Sequence, residues 1–308
     1  MIPGIGANLF KGVSGGNSGS IFILDVQNQP KISFDSGSSF ATIPTSYYTP
    51  SGICCSLDGK YVFIAKQDGN SQYSINYGVS VSDITGVYYV NSGDISCSND
   101  GQYILHVKAN GKAYMSSDYG SNFAQVYSLP TSNVSWNGCA VSSTGQYMIA
   151  VISYTGIYVS SNYGSTWTYK SYTSSNRAPC MSADGQYQYF TEGSNIYRSS
   201  DYGSSWASVY STPMYSFNSM DCSADGSILY LTATGSGIFK STTYGSSPSI
   251  ISANTNYYTQ RRTISCSADG SIVLVSMGAS SSYSYYSTNG GSSWTSLPYR
   301  GNNVFVNK

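Results

Sequence analysis

Short apolar runs broken by turn-forming clusters fill most of this chain. Val62-Phe63-Ile64-Ala65, Ile104-Leu105-His106-Val107 and Met148-Ile149-Ala150-Val151-Ile152 are examples. Their lengths suit strands, and Val, Ile, Tyr and Thr supply the stiff side chains that a pleated surface favours. No segment sustains a helical apolar period. The pattern predicts an all-β chain.

The polar clusters between the runs repeat. Ser199-Ser200-Asp201-Tyr202-Gly203-Ser204-Ser205-Trp206 and Ser160-Ser161-Asn162-Tyr163-Gly164-Ser165-Thr166-Trp167 are the clearest copies of one eight-residue box. Copies starting at Ser116 and Ser287 match closely, those at Ser74 and Ser241 are degraded, and another begins at Ser33. The shared glycine falls at Gly37, Gly78, Gly120, Gly164, Gly203, Gly245 and Gly291, in steps of 41, 42, 44, 39, 42 and 46 residues. Units of this length are the period of propeller blades.

A second repeat, Cys-Ser-x-Asp-Gly-x-Tyr, alternates with the first. Its copies begin at Cys55, Cys97, Met181, Cys222 and Cys266, with a variant at Val141. Asp-Gly between apolar runs is a hairpin signal, because glycine supplies the positive φ of a tight turn. Each unit then reads as four strands, for example 137–142, 146–153, 156–161 and 166–172. Four antiparallel strands per unit predict a β-propeller, with seven blades favoured and six plus an N-terminal extension as the alternative. The chain is expected to form a single domain over 1–308. Segment 303–308 is expected to close the ring on the first blade, whose N-terminal part lacks a clear Asp-Gly hairpin. In such a meander the Asp-Gly turns and the boxes share one face. The second turns and inter-blade links, variable in length, form the other face and are the place to look for recognition.

Composition narrows the partners. Of 308 residues only 9% are charged, with net charge zero, which disfavours nucleic acid as a partner. No stretch reaches the apolar length of a membrane span, and the N-terminus lacks the pattern of a secretory signal. The apolar, glycine-rich segment 1–10 is a candidate docking or flexible element. All seven cysteines fall on predicted innermost strands, where a thiol behaves as a small buried hydrophobe. Equivalent positions in neighbouring blades are expected to lie too far apart for disulfides. A metal site is disfavoured, since there is no Cys-x-x-Cys and only one histidine, and no cofactor is expected. Free thiols fit a reducing compartment, cytoplasmic or inside a virion.

The box resembles the Asp-box, also called the bacterial neuraminidase repeat, over essentially the whole chain. The resemblance implies a structural turn between the third and fourth strands of a blade. Its acceptor caps backbone amides, here Asp35, Asn76, Asp118, Asn162, Asp201, Thr243 and Asn289. The family includes sialidases, xyloglucan-type glycosidases, sorting receptors and a photosystem assembly factor with a seven-bladed ring. A sialidase needs three substrate-binding arginines and a tyrosine activated by a glutamate. This chain has five arginines and one glutamate, Glu192, and lacks the Phe-Arg-Ile-Pro segment of sialidases. No catalytic residues are therefore assigned.

Trp136, Arg177, Glu192, Phe217, Arg261 and Arg262 are the ligand-binding candidates, expected on the variable face around the central opening. The packing alternative places Trp136 and Phe217 in inter-blade gaps. His106 reads as a satisfied strand histidine. The leading expectation is a non-catalytic interaction scaffold with a protein partner. Similar Ser/Tyr/Gly-rich repeats in proteins of protists and large DNA viruses suggest an assembly such as a virus particle. A glycan-binding module is the alternative, and a sialidase-like glycosidase comes third.

Overall fold

The computed structural model describes residues 21–25, 30–35, 39–45, 50–66, 69–85, 87, 93–108, 111–131, 134–172, 176–233, 236–252, 263–276, 284–298 and 301–306. Among the described residues every regular element is a β-strand, and the strands form four-stranded antiparallel sheets.

Six sheets are built from consecutive strands. Blade 2 comprises Pro50–Cys55, Val62–Lys66, Gln72–Ser74 and Ser82–Asp83. Blade 3 comprises Gly93–Cys97, Ile104–Lys108, Ala113–Ser116 and Ala124–Gln125. Blade 4 comprises Trp136–Val141, Met148–Ile152, Gly156–Ser160 and Thr168–Ser171. Blade 5 comprises Asn176–Met181, Gln188–Glu192, Asn195–Ser199 and Ala207–Ser211. Blade 6 comprises Phe217–Cys222, Leu229–Ala233, Gly237–Ser241 and Ser249–Ser252. Blade 7 comprises Thr263–Cys266, Val273–Ser276, Tyr285–Ser287 and Thr295–Ser296.

One further sheet, blade 1, is composite. Gly301–Val306 pairs with Ile21–Asp25, which continues through Lys31–Ser33 to Ala41–Thr42. Ile21 faces Val306 and Ile23 faces Val304 in register. Six sheets are therefore continuous in sequence, and the seventh joins the two ends of the chain. Segment 1–10 lies outside the described residues.

The first strands of the sheets pack side by side in a closed circuit, with Gly301–Val306 between Thr263–Cys266 and Pro50–Cys55. Burial follows distance from the axis. Met148–Ile152 and Leu229–Ala233, second strands covered on both faces, are buried throughout, and their sequences are apolar but for Thr232 and the Tyr230 hydroxyl. The outermost Thr168–Ser171 is polar and mostly exposed.

Cross-blade contacts fix the seams. The hairpin tyrosine of one blade sits between the hairpin glycine and the box tyrosine of the next. Tyr61 stacks on Tyr119 with centroids 5.0 Å apart, Tyr147 on Tyr202 at 4.7 Å, and Tyr103 packs on Tyr163 at 4.9 Å. The glycine is required sterically: a Cβ at Gly145 would lie 2.4 Å from the Tyr103 ring. The box tyrosines themselves adopt the left-handed conformation, with φ of 61° at Tyr119 and 60° at Tyr202. Such a conformation costs about 1–2 kcal/mol for a residue bearing a Cβ. Ring stacking on the neighbouring blade offsets about 0.5–1.5 kcal/mol of that.

Candidate functional site

The two families of turns crowd one face, as the alternation of repeats predicts. In the box of blade 5, Asp201 Oδ1 accepts the Ser205 N–H at 2.9 Å while Ser199 Oγ accepts the Gly203 N–H at 2.9 Å. Asn76, Asp118, Asn162 and Asn289 hold the same bond, and Asp35 caps the Ser39 N–H. Thr243 departs from the pattern, with its hydroxyl 3.3 Å from Ser241 Oγ. Box and hairpin are tied within each blade: the Tyr202 N–H donates to the Gln186 carbonyl and the Tyr163 N–H to that of Gln146.

Hairpins are in turn tied between blades. The N–H of Leu57 donates to the Asn99 carbonyl, Asn99 to Ser143, Ser143 to Ala183, Ala183 to Ala224 and Ala224 to Ala268. These bonds form a backbone collar around the axis. The polar groups of this face are thus largely consumed by the fold. The second strand of blade 4 starts at Met148 rather than 146 for the same reason, since the Tyr147 N–H bonds Ser142 Oγ.

Inside the collar the first strands enclose a cavity of about 190 Å³, with Asp94, Ser96, Cys139, Pro179, Cys180 and Asp221 among its walls. These strands are edge strands, and side chains from the preceding blade satisfy their axial N–H groups. Ser96 Oγ accepts from Val141, Asp94 Oδ2 from Cys139, Ser219 Oγ from Ile264 and Asp221 Oδ2 from Cys266. Burial at the cavity wall raises the Asp94 carboxyl to about 6, against the pull of its two backbone donors. Sequence reasoning missed Asp94. Its signal was a carboxylate outside both repeats, at a level where blade 2 carries Gly52 and blade 4 carries Gly138, each close to the Asp94 carboxylate.

The described candidates lie at the ends of inner strands of blades 4, 5 and 6. Trp136 (4% exposed) and Phe217 (1%) lie in seam cores, Trp136 against Tyr158 and Phe217 against Phe239. Neither offers a ring face to a ligand, in keeping with the packing alternative. Arg177 pairs in the backbone ladder with Thr191, at an irregularity where Ala178 has φ 51°. Glu192, on the next ladder step, pairs with Asn176 and Asn195. Its carboxylate accepts from Tyr197, whose hydroxyl is raised first by burial and then by that bond. Arg261 and Arg262 lie outside the described residues.

His106 is buried, with Nδ1 3.0 Å from the Asp94 carbonyl and Nε2 3.1 Å from Ser71 Oγ. Donating from Nδ1 and accepting at Nε2 leaves it neutral, and burial lowers it to about 4. It is a strand histidine with both nitrogens satisfied.

All seven cysteines are free and lie on first strands. The expectation of wide separation concerned equivalent positions, and thiols at non-equivalent positions do come together. Cys180 and Cys222 are offset by one repeat position, so their sulfurs face each other across a seam within 4.8 Å. Cys54 hydrogen-bonds Cys97 in the same manner between blades 2 and 3.

No family model matches the chain, and no curated protein matches it in sequence. Solved structures do match in fold. YCF48, in a structure with a D1 peptide bound, superposes with a TM-score of 0.61 at 14% identity, covering 92% of this chain and 87% of that one. A protein from Lactobacillus plantarum gives 0.67 at 11% identity, covering 94% and 99%. An ancestral GH74 enzyme gives 0.61 at 11% identity, but the match spans 88% of this chain and only 42% of that one. At these identities the likeness establishes the fold alone: the chain is a β-propeller of the architecture shared by YCF48 and GH74 enzymes.

Proposed function

We propose that this chain is a non-catalytic propeller scaffold that binds a protein partner through the face opposite the boxes, within a larger assembly. The observation carrying this reading is the division of labour between the two faces. Box and hairpin carboxylates bond backbone N–H groups of their own turns, as Asp201 does with Ser205 and Asp225 with Ser227. Arg177 and Glu192 sit at the other end of blade 5, where it opens onto the links and second turns. The peptide bound to the structurally similar YCF48 supports a protein partner for this fold.

In this reading the eight-residue turns are Asp-boxes, and 1–308 is one propeller with 1–10 as an added docking element. Arg177, Arg261, Arg262 and Glu192 belong to the recognition face, while Trp136 and Phe217 support it from the seams. Glycan binding is the competing use of that face, and GH74 neighbours keep glycosidase chemistry as the third.

The test compares the full-length protein with an Arg177→Ala/Arg261→Ala/Arg262→Ala variant of equal thermal stability. Both are examined by crosslinking mass spectrometry of purified complexes, on a glycan array and with chromogenic glycosides. A protein partner retained by the parent and lost by the variant is expected. Glycan binding abolished by the variant would replace the scaffold with a lectin, and glycoside turnover would make the chain an enzyme.

A further inference from the structure

Two cysteines one repeat apart meet across the seam between blades 5 and 6. Cys180, near the end of Asn176–Met181, and Cys222, the last residue of Phe217–Cys222, belong to the same buried cluster. Their sulfurs and a carboxylate oxygen of Asp221 all lie within 4.8 Å of one another. Cys180 and Asp221 line the central cavity, so the buried group borders space that a small ion can enter. The carboxylate is oriented by the protein: Oδ1 accepts the Cys222 N–H at 2.9 Å, and Oδ2 accepts from Ser265 Oγ at 2.8 Å and the Cys266 N–H at 2.9 Å.

We propose that this seam is a metal site for a divalent ion of the Zn²⁺ type, with Cys180 and Cys222 as thiolate ligands and Asp221 as the third. Two thiolates at about 2.3 Å from a tetrahedral zinc stand roughly 3.8 Å apart, and a carboxylate oxygen binds at about 2.0–2.2 Å, a spacing this group accommodates. Thiolates favour Zn²⁺ over the hard ions Mg²⁺ and Ca²⁺. Each thiol releases its proton on binding, so occupancy rises with pH. The fourth position faces the cavity and takes water. The ion then staples two blades whose ligands are a repeat, rather than a short motif, apart.

The seam between blades 2 and 3 is the built-in control. Burial holds the Cys54 thiol well above its usual range, and Cys97 bonds it. Among the described residues only the group in the blade 5–6 seam brings three such ligands together.

The test titrates reduced full-length protein, free of oxygen, with Co²⁺ and then Zn²⁺. The expected result is a near-ultraviolet thiolate-to-cobalt band that saturates at one ion per chain and is displaced by Zn²⁺. Cys180→Ser and Cys222→Ser each abolish the band, Asp221→Asn keeps it with roughly ten- to hundredfold weaker affinity, and Cys54→Ser/Cys97→Ser leaves it unchanged. In parallel, Zn²⁺ is expected to shield Cys180 and Cys222 of the parent protein from alkylation, a readout that needs no variant to fold. Absence of the band and of shielding overturns the proposal. So does a band that survives Cys222→Ser or disappears with the Cys54/Cys97 variant, and so does isolation of a Cys180–Cys222 disulfide that no reductant opens.

Discussion

The seams between blades 4 and 5 and between blades 6 and 7 meet the same packing demand with different residues. In the first, Tyr147 lies over Gly185 and stacks on Tyr202 at 4.7 Å. In the second, Ile228 stands in the hairpin tyrosine's place over Gly270, and Gly290 stands in the box tyrosine's place with φ 65°. Lys240 crosses this seam instead, donating to the Gly290 carbonyl at 2.9 Å and lying over the Tyr230 ring. Both tyrosines are absent together. That joint loss identifies the pair as a packing unit between blades, even though Tyr202 is 40% exposed on the box face.

The largest effect that separates the seams is expected at the hairpin glycines. A Cβ at Gly185 would lie 2.6 Å from the Tyr147 ring, at φ 77°, whereas one at Gly270 would lie 3.1 Å from the Ile228 Cδ1. Gly185→Ala is expected to cost about 3 kcal/mol and Gly270→Ala about 1–2 kcal/mol in urea denaturation. Equal losses would mean that backbone strain alone decides both sites.

The pH dependence of melting contrasts the cavity with the box face. Asp94 has its folded value raised to about 6 by burial, above about 3.9 for an unfolded aspartate. The folded state therefore holds that proton more tightly, and Asp94 adds stability as pH falls from about 7 towards about 4, whereas His106, lowered to about 4 by burial, removes stability over the same window. Asp94→Asn is expected to leave the His106 loss unopposed, so that the melting temperature of the variant falls more steeply below about 6.5 than that of the parent. Asp201, Asp225 and Asp269 are held below the usual range by bonds from Ser205, Ser223 and Ser267. Their contribution is complete above about 3.9 and is lost at lower pH, below the window in which Asp94 and His106 oppose each other.

The smallest effect is expected in the box of blade 6. Thr243→Asp supplies the acceptor that Asp201 provides in blade 5, and is expected to stabilise by about 0.5–1 kcal/mol. No gain in melting temperature would show that the Pro248 variant of the box no longer needs that bond.

What the sequence revealed and what it hid divide along the same line. Contacts within one unit were legible: the Ser199–Asp201–Gly203 turn and the Ser182–Asp184 hairpin are written in adjacent residues. Contacts between units were not. The left-handed Tyr202, the tyrosine sandwich, the bridge from Asp94 to Cys139 and the meeting of Cys180 with Cys222 depend on how far one blade is offset from the next. For Trp136 and Phe217 the sequence left rim and seam both open, since a strand's first residue faces either the opening or the neighbouring blade, and both are buried in the seams. The expected recognition face remains the less legible half, because its links do not repeat.

The repeated tyrosines hold the blades together. A double-mutant cycle with Tyr147→Ile and Tyr202→Gly, which rebuilds the blade 6–7 arrangement at the blade 4–5 seam, tests it directly. The double variant is expected to be more stable than the sum of the single losses by about 1 kcal/mol. Additive losses, with a coupling below about 0.3 kcal/mol, would contradict it and leave the exposed tyrosines without a shared packing role.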